Sequence, residues 1–245
     1  MILDLDIGNT RIKWRLSDTA SGQRKIGVAS GLNDLLQATV EQHQITRVRI
    51  ACVRGGDLLL EMTHSLAQDW QLTAEIAQVS RECQGLTVAY SDLNRLGVDR
   101  WLAMLAAFRD AQGASVVVDC GTAMTIDLIS NTGRHLGGYI VPGLSLAATS
   151  LTQNTAIELD GQPVWGLEPG NSTEEAIYHG ALQMLLSLMD ITIAKNLDGL
   201  SAQKPPVLYL TGGDATVLSD FLDLQDVKLR QTDDLVFEGL ALALG

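Results

Sequence analysis

Residues 116–129, VVVDCGTAMTIDLI, read as a strand, a tight turn and a second strand. The β-branched run Val116, Val117, Val118 suits a strand buried on both faces. Asp119 ends that strand with a carboxylate, Cys120-Gly121-Thr122-Ala123 turns with small residues, and Thr125 and Asp127 then alternate with Met124, Ile126 and Leu128. Residues 1–14, MILDLDIGNTRIKW, carry the same pattern: an apolar strand, Asp6, the turn Ile7-Gly8-Asn9-Thr10, and a second strand from near Arg11. A buried strand that delivers an acid to a turn of small residues places a metal beside a phosphate. Glycine lets the anion approach the backbone, the turn's N–H groups point at it, and threonine adds a hydroxyl. One such hairpin reads equally well as a polar turn. Two, each at the end of an apolar strand and one opening each half, predict a duplicated α/β fold with phosphate bound between the halves.

Composition narrows the class. A chain of 245 residues accommodates one large domain or two of ordinary size. With 46% hydrophobic but only 4% aromatic residues, the core is expected to be Val, Leu, Ile and Ala. A net charge of −12 argues against nucleic acid or an anionic membrane surface as partner, since both reward clustered Lys and Arg. It leaves room for a phosphorylated ligand met by local donors and a cation. Cys52, Cys83 and Cys120 are widely spaced and form no C-x-x-C pair, which predicts reduced residues in a cytoplasmic protein. Asp4 and Asp6 interrupt the only apolar stretch near the N-terminus, so no signal peptide is expected. No apolar run reaches ~18 residues, so no membrane span is expected either.

Between the hairpins, the pattern predicts a strand over 25–29 and a helix over 31–42 with Leu32, Leu35, Leu36 and Val40 on one face. A strand over 47–53, a turn at 54–56, a helix over 58–67 and a strand over 72–79 follow. Residues 80–96 show little period and read as a loop over a cleft. Gly97-Val98-Asp99-Arg100 leads into an Ala- and Leu-rich helix over 101–110, and Asp99 taken alone reads as a helix cap. The link at 112–114 is the expected boundary, giving halves 1–112 and 113–245. The second half continues with a strand over 134–141, whose Gly137-Gly138 allows close approach of a ligand or another backbone. A helix over 144–151, an irregular loop over 152–171 and a long helix over 174–196 come next, with Thr173 as the N-cap candidate. A strand over 207–210 ends in Thr211-Gly212-Gly213-Asp214 ahead of a helix, 227–229 is an edge strand, and Asp233-Asp234 cap a last helix over 235–244.

Several chemistries are excluded by what is missing. The chain has no G-x-x-x-x-G-K-[ST] loop, no G-x-G-x-x-G after a strand, no G-x-S-x-G elbow and no H-E-x-x-H. His43, His64, His135 and His179 are scattered and read as surface or core residues rather than zinc ligands. What remains is two D-x-G turns, a later strand–Thr-Gly-Gly-Asp–helix, and an acid at Asp99 between them. This ordered set resembles the superfamily of acetate and sugar kinases, heat-shock chaperone ATPases and actin. More closely, D6-I-G-N-T10, G97-V-D-R100, D119-C-G-T-A123, G137-G-Y-I-V-P-G143 and T211-G-G-D214 resemble the type III pantothenate kinase family, in order and over essentially the whole chain.

The resemblance implies a duplicated actin-like (ribonuclease H-like) fold, two mixed-sheet halves with a cleft between them. It implies ATP-dependent phosphorylation of pantothenate to 4′-phosphopantothenate, the first step of coenzyme A synthesis, by a homodimer that uses Mg²⁺ and a monovalent cation, K⁺ or NH₄⁺. By the same resemblance Asp6, Ile7, Gly8, Asn9, Thr10, Arg11, Ile12 and Lys13 form the first ATP segment, and Thr122 contacts ATP from the second hairpin. Asp6 orients Mg²⁺, through water, and Asp119 belongs to the monovalent-cation site. Asp99 becomes the general base rather than a cap. Tyr90, Gly97, Val98, Arg100 and Thr173 join it in contacting pantothenate, Thr173 across the dimer interface. Two alternatives use the same hairpins: a phosphatase or polyphosphate hydrolase that activates water, and a non-catalytic ATP-binding regulatory protein.

Overall fold

The computed structural model describes residues 1–31, 34–35, 44–53, 56–200, 204–223 and 227–245. These form two compact units, one of residues 1–84, 90–106 and 234–245, the other of residues 85–89 and 107–233.

The first unit is built on strands β1 (Ile2–Ile7), β2 (Ile12–Ser17), β3 (Arg24–Ala29), β4 (Arg47–Cys52) and β5 (Ala74–Ile76), in the order β3-β2-β1-β4-β5. β1, β2 and β3 pair antiparallel, and β4 and β5 continue in parallel. The period of two in MILDLDI and RIKWRLS divides this sheet cleanly. The apolar face carries Leu3, Leu5, Ile7, Ile12, Trp14, Leu16, Val48 and Ile50, packed in one core with Met62 and Leu66 of helix α1 (Asp57–Asp69). Leu35 is buried in the same core, while residues 32, 33 and 36–42 of the helix expected there lie outside the described residues, as do 54 and 55 of the expected turn.

The opposite face of β1, β2 and β4 is charged. Asp4 is fully buried and accepts from Arg15 Nε and Nη2 at 3.1 and 2.9 Å and from Arg49 Nε and Nη2 at 2.7 and 3.1 Å. Helix α6 (Leu235–Leu244) covers this face, packing on β1 and β4. Arg15 Nη2 donates to the Phe237 carbonyl at 2.9 Å and Nη1 to Glu238 at 2.7 Å, while Arg47 donates to the Leu244 carbonyl at 2.7 Å. The last helix therefore belongs to the first unit and not to the second half, because only there do its carbonyls and Glu238 meet the guanidinium groups of Arg15, Arg24 and Arg47.

Residues 72–87 depart from expectation in two places. The strand expected over 72–79 is confined to β5. Within 80–87, which reads as a loop in sequence, β6 (Glu82–Cys83) and β7 (Leu86–Thr87) form a small hairpin. Gln84 and Gly85, at φ 49° and 89°, supply the left-handed pair that a two-residue hairpin turn requires. Helix α2 (Val98–Ala111) then begins in the first unit and ends in the second.

The second unit repeats the first. β8 (Ser115–Cys120), β9 (Ala123–Ile129), β10 (His135–Pro142), β11 (Val207–Thr211) and β12 (Lys228–Gln231) lie in the order β10-β9-β8-β11-β12. Again the first three pair antiparallel and the last two continue in parallel. Val116, Val118, Cys120, Met124, Ile126 and Leu128 pack with Leu144 of α3 (Leu144–Asn154) and with Leu182, Leu185 and Met189 of α4 (Thr173–Leu200). Gly137, at φ 115°, follows a bulge in β10, and a Cβ there would meet nothing within 4 Å. Its positive φ alone calls for glycine there. Over Thr173–Asn196, α4 is long and apolar enough to cross a membrane by length and composition alone. Its Leu182, Leu185, Leu186 and Met189 side chains belong to this core, as the core helix of a globular unit would have them.

Removing one partner of a buried, hydrogen-bonded ion cluster strands the others without compensation. Asp4→Ala is expected to cost about 3–5 kcal/mol, measured by urea unfolding. A loss below about 1 kcal/mol would show that water solvates Arg15 and Arg49.

Candidate active site

In the first unit, Gly8 N–H donates to the Arg11 carbonyl at 3.1 Å and closes the β1–β2 turn. Ile7 and Ile12 are paired and buried, so any ligand there meets their backbone and not their side chains. Asn9, Thr10 and Arg11 are exposed at the tip. Asp6 is half-buried, lies on the same face of β1 as Asp4, and is paired in register with Lys13. The hairpin thus offers one carboxylate, one ammonium and a run of exposed donors.

Also in this unit, Asp99 and Arg100 occupy the first turn of α2. The helix starts at Val98, so Asp99 is inside it and not at the cap position, although its Oδ1 accepts from Arg100 N–H at 2.8 Å. The carboxylate folds back over Gly97: a Cβ built on Gly97 would lie 2.5 Å from Asp99 Oδ1. Val98 is buried. Arg100, 8% exposed, donates from Nη1 to Tyr90 Oη at 3.0 Å, with its guanidinium 5.8 Å from the Tyr90 ring centroid. Tyr90, Gly97, Asp99 and Arg100 are therefore brought together as one group.

In the second unit, Asp119 is half-buried and Thr122 exposed. Two glycines back their turn closely. Gly212, at φ 95°, has its Cβ position 2.6 Å from Asp119 Oδ1 and from the Cys120 carbonyl, and Asp214 N–H donates to that carbonyl at 3.0 Å. Gly143 N–H donates to the Thr122 carbonyl at 2.9 Å, and a Cβ on Gly143 would collide with the Gly121 carbonyl. The role of Gly143 is not visible in the sequence, where Pro142-Gly143 signals only a turn. Cys120 is buried on the apolar face, and burial, reinforced by the Asp119 and Asp214 carboxylates, pushes its thiol up and keeps it protonated. Burial also holds the Asp214 carboxyl above the usual carboxylate range.

Thr173 is the first residue of α4, not its cap. Ser172 Oγ accepts from Glu175 N–H at 3.1 Å, and Glu175 accepts from Asn171 N–H at 2.7 Å. The exposed Thr173 hydroxyl is spared for other use. Among the described residues no three His, Cys, Asp or Glu side chains form a metal-binding group. The Asp6 carboxylate at the end of β1 suits a divalent ion that arrives with a nucleotide and keeps phosphate oxygens and waters as its other ligands.

The sequence profile of type III pantothenate kinase matches residues 2–195. The chain belongs to the type III pantothenate kinase family. The type III pantothenate kinase of Pseudomonas paraeruginosa is 39% identical over 254 residues, covering 99% of this chain and 98% of that protein. That of Azotobacter vinelandii is 34% identical over the same length and with the same coverage. Among solved structures, a conserved Baf family protein from Campylobacter jejuni matches with a TM-score of 0.57 at 24% identity, over 98% of this chain and 95% of its own. The activator of the 2-hydroxyisocaproyl-CoA dehydratase from Clostridium difficile, solved with bound ADPNP, matches at 0.50 and 12%, over 99% and 92%. These likenesses carry the fold: two mixed sheets of the actin-like ATPase and sugar-kinase type. This family member is a kinase, and its reaction calls for ATP with a divalent metal.

Two outcomes follow. Gly97→Ala forces the Asp99 carboxylate aside and should lower kcat by about 10–100-fold while the melting temperature stays within a few degrees. Unchanged turnover would show that Asp99 tolerates the shift. For Asp214, the raised carboxyl favours the neutral form in the fold, so its contribution is present at low pH and lost as pH rises through the folded-state value. Asp214→Asn should accordingly raise the melting temperature more at pH 8 than at pH 4. An equal shift at both values would mean that burial does not act on this carboxyl.

Proposed function

We propose that this chain transfers the γ-phosphoryl group of ATP to the pantothenate hydroxyl, with Asp99 as general base. The observation that carries this reading is the grouping of Asp99, Arg100 and Tyr90 at one helix start in a member of this kinase family. The acceptor oxygen bonds to phosphorus as the bond from phosphorus to the ADP oxygen breaks, and the hydroxyl proton passes to the Asp99 carboxylate. Arg100 and Tyr90 hold the acceptor, Arg100 pairing with its carboxylate, and Thr173 adds a hydroxyl from the partner of a homodimer. Exposed apolar side chains on edge strand β10 (Tyr139, Ile140) and on α4 (Met184, Ile191) support such a dimer. An organic acceptor site of this kind distinguishes the kinase from a hydrolase that activates water.

Asn9 and Thr10 donate to the phosphates from one hairpin, where Gly8 lets the anion approach the backbone, and Thr122 donates from the other, with Lys13 adding positive charge. Asp6 holds Mg²⁺ through water, and Asp119 holds K⁺ or NH₄⁺. When bound, these cations neutralise charge on the transferred phosphate. Each unit supplies one phosphate hairpin, and the enzyme works in the cytoplasm.

A coupled ADP-release assay tests the whole reading: ATP consumption should require pantothenate and be faster in K⁺ than in Na⁺. Consumption without pantothenate would favour the hydrolase. Asp99→Asn should cut kcat by about 10²–10⁴ with the KM for ATP little changed. A smaller loss removes Asp99 as the base. Asp119→Ala should abolish the K⁺ response selectively, and an intact response would place the cation elsewhere.

A further inference from the structure

We infer that Arg81 is a positioning residue of the acceptor site, acting by clamping the backbone that carries Tyr90; the inference rests on the reading of Tyr90 as a pantothenate contact. Residues 88–90 belong to no helix or strand, so no sheet ladder fixes them. Arg81, at the start of the β6–β7 hairpin, reaches across to them. Its Nη1 donates to the Tyr90 carbonyl and its Nη2 to the Ser91 carbonyl at 3.0 Å. Two consecutive carbonyls are matched by two nitrogens of one planar fork, a geometry that the single ammonium of lysine cannot reproduce.

The other end of Tyr90 is held by Arg100, whose Nη1 donates to the phenol oxygen at 3.0 Å. Tyr90 is thus gripped at its backbone by one guanidinium and at its hydroxyl by another. Arg81 orders the segment before substrate arrives, so that binding does not have to supply the ordering entropy. The β6–β7 hairpin, unremarkable in composition, acquires a purpose: it holds Arg81 at the distance the loop needs. Both Arg81 bonds go to the backbone of the Tyr90 loop, so its loss should be felt in acceptor binding.

The test compares Arg81→Ala, Arg81→Lys and Tyr90→Ala by steady-state kinetics, by calorimetric titration of pantothenate and by thermal melting. Arg81→Ala should raise the KM and Kd for pantothenate about tenfold, the equivalent of losing one charge-assisted hydrogen bond, while the KM for ATP and kcat stay within about twofold. Arg81→Lys, which keeps the charge but at most one of the two bonds, should fall between. If Tyr90→Ala weakens pantothenate binding and Arg81→Ala does not, the clamp is refuted and the acceptor site stands. If neither weakens it, the acceptor site itself is misplaced and the clamp falls with it. If Arg81→Ala lowers kcat, both KM values and the melting temperature together, Arg81 is a general structural residue and the inference is overturned.

Discussion

The buried Asp4 carboxylate, held between the guanidinium groups of Arg15 and Arg49, is the constraint on which the first unit turns. A charge with no exposure cannot be left without partners, because desolvation would cost several kcal/mol. It therefore dictates what lies on either side of it in the sheet: arginine at the register positions opposite, on β2 and on β4. Arg15 in turn needs further acceptors, and the last helix supplies the Phe237 carbonyl and Glu238. One acidic residue near the start of the chain thereby recruits a helix from its far end. A cluster of this kind adds little net stability over a packed apolar one, but it specifies one arrangement of strands and helix, since any other leaves a charge stranded.

The same sheet explains how the β1–β2 turn is presented. Asp4 and Asp6 share one face of β1, two residues apart. The first is sealed under the helix, and the second emerges where the strand runs out to the turn. A buried, neutralised carboxylate and a half-exposed, usable one are successive steps along one pleat. In the second unit the corresponding face carries Asp119 at the strand end and, further back on β9, the buried Asp127 paired with His135. The repeated arrangement, in sheets of identical order, shows that duplication preserved a device and not merely an outline.

Glycine completes the second hairpin by a different route. Gly143 and Gly212 come from segments distant in sequence, yet both press on the Asp119–Thr122 turn so closely that a single methyl would displace it. That crowding leaves the turn little room to relax, which is how a catalytic site keeps donors aimed before a ligand arrives. Burial of Asp214 beside it is a cost in stability that the fold tolerates at the site.

Both hairpins were legible in the chain, as were the places of Asp6 and Asp119 at strand ends and of Asp99 at a helix start. They depend on local patterns: a period of two along a strand, small residues at a turn, an acid at a helix start. The small β6–β7 hairpin was not legible, because a glutamine in the left-handed region leaves no signature in composition. Nor was the choice of Ser172 over Thr173 as cap, which differs by one residue and is settled by Glu175 reaching Asn171. The assignment of the last helix to the first unit, the glycines behind the second turn, and Arg81 on the Tyr90 loop were equally hidden. Each joins segments separated along the chain, and such contacts are decided by which surfaces need covering and which polar groups need partners once the chain is compact. Local chemistry writes the elements and the reactive groups, whereas long-range burial and hydrogen-bond satisfaction select their neighbours.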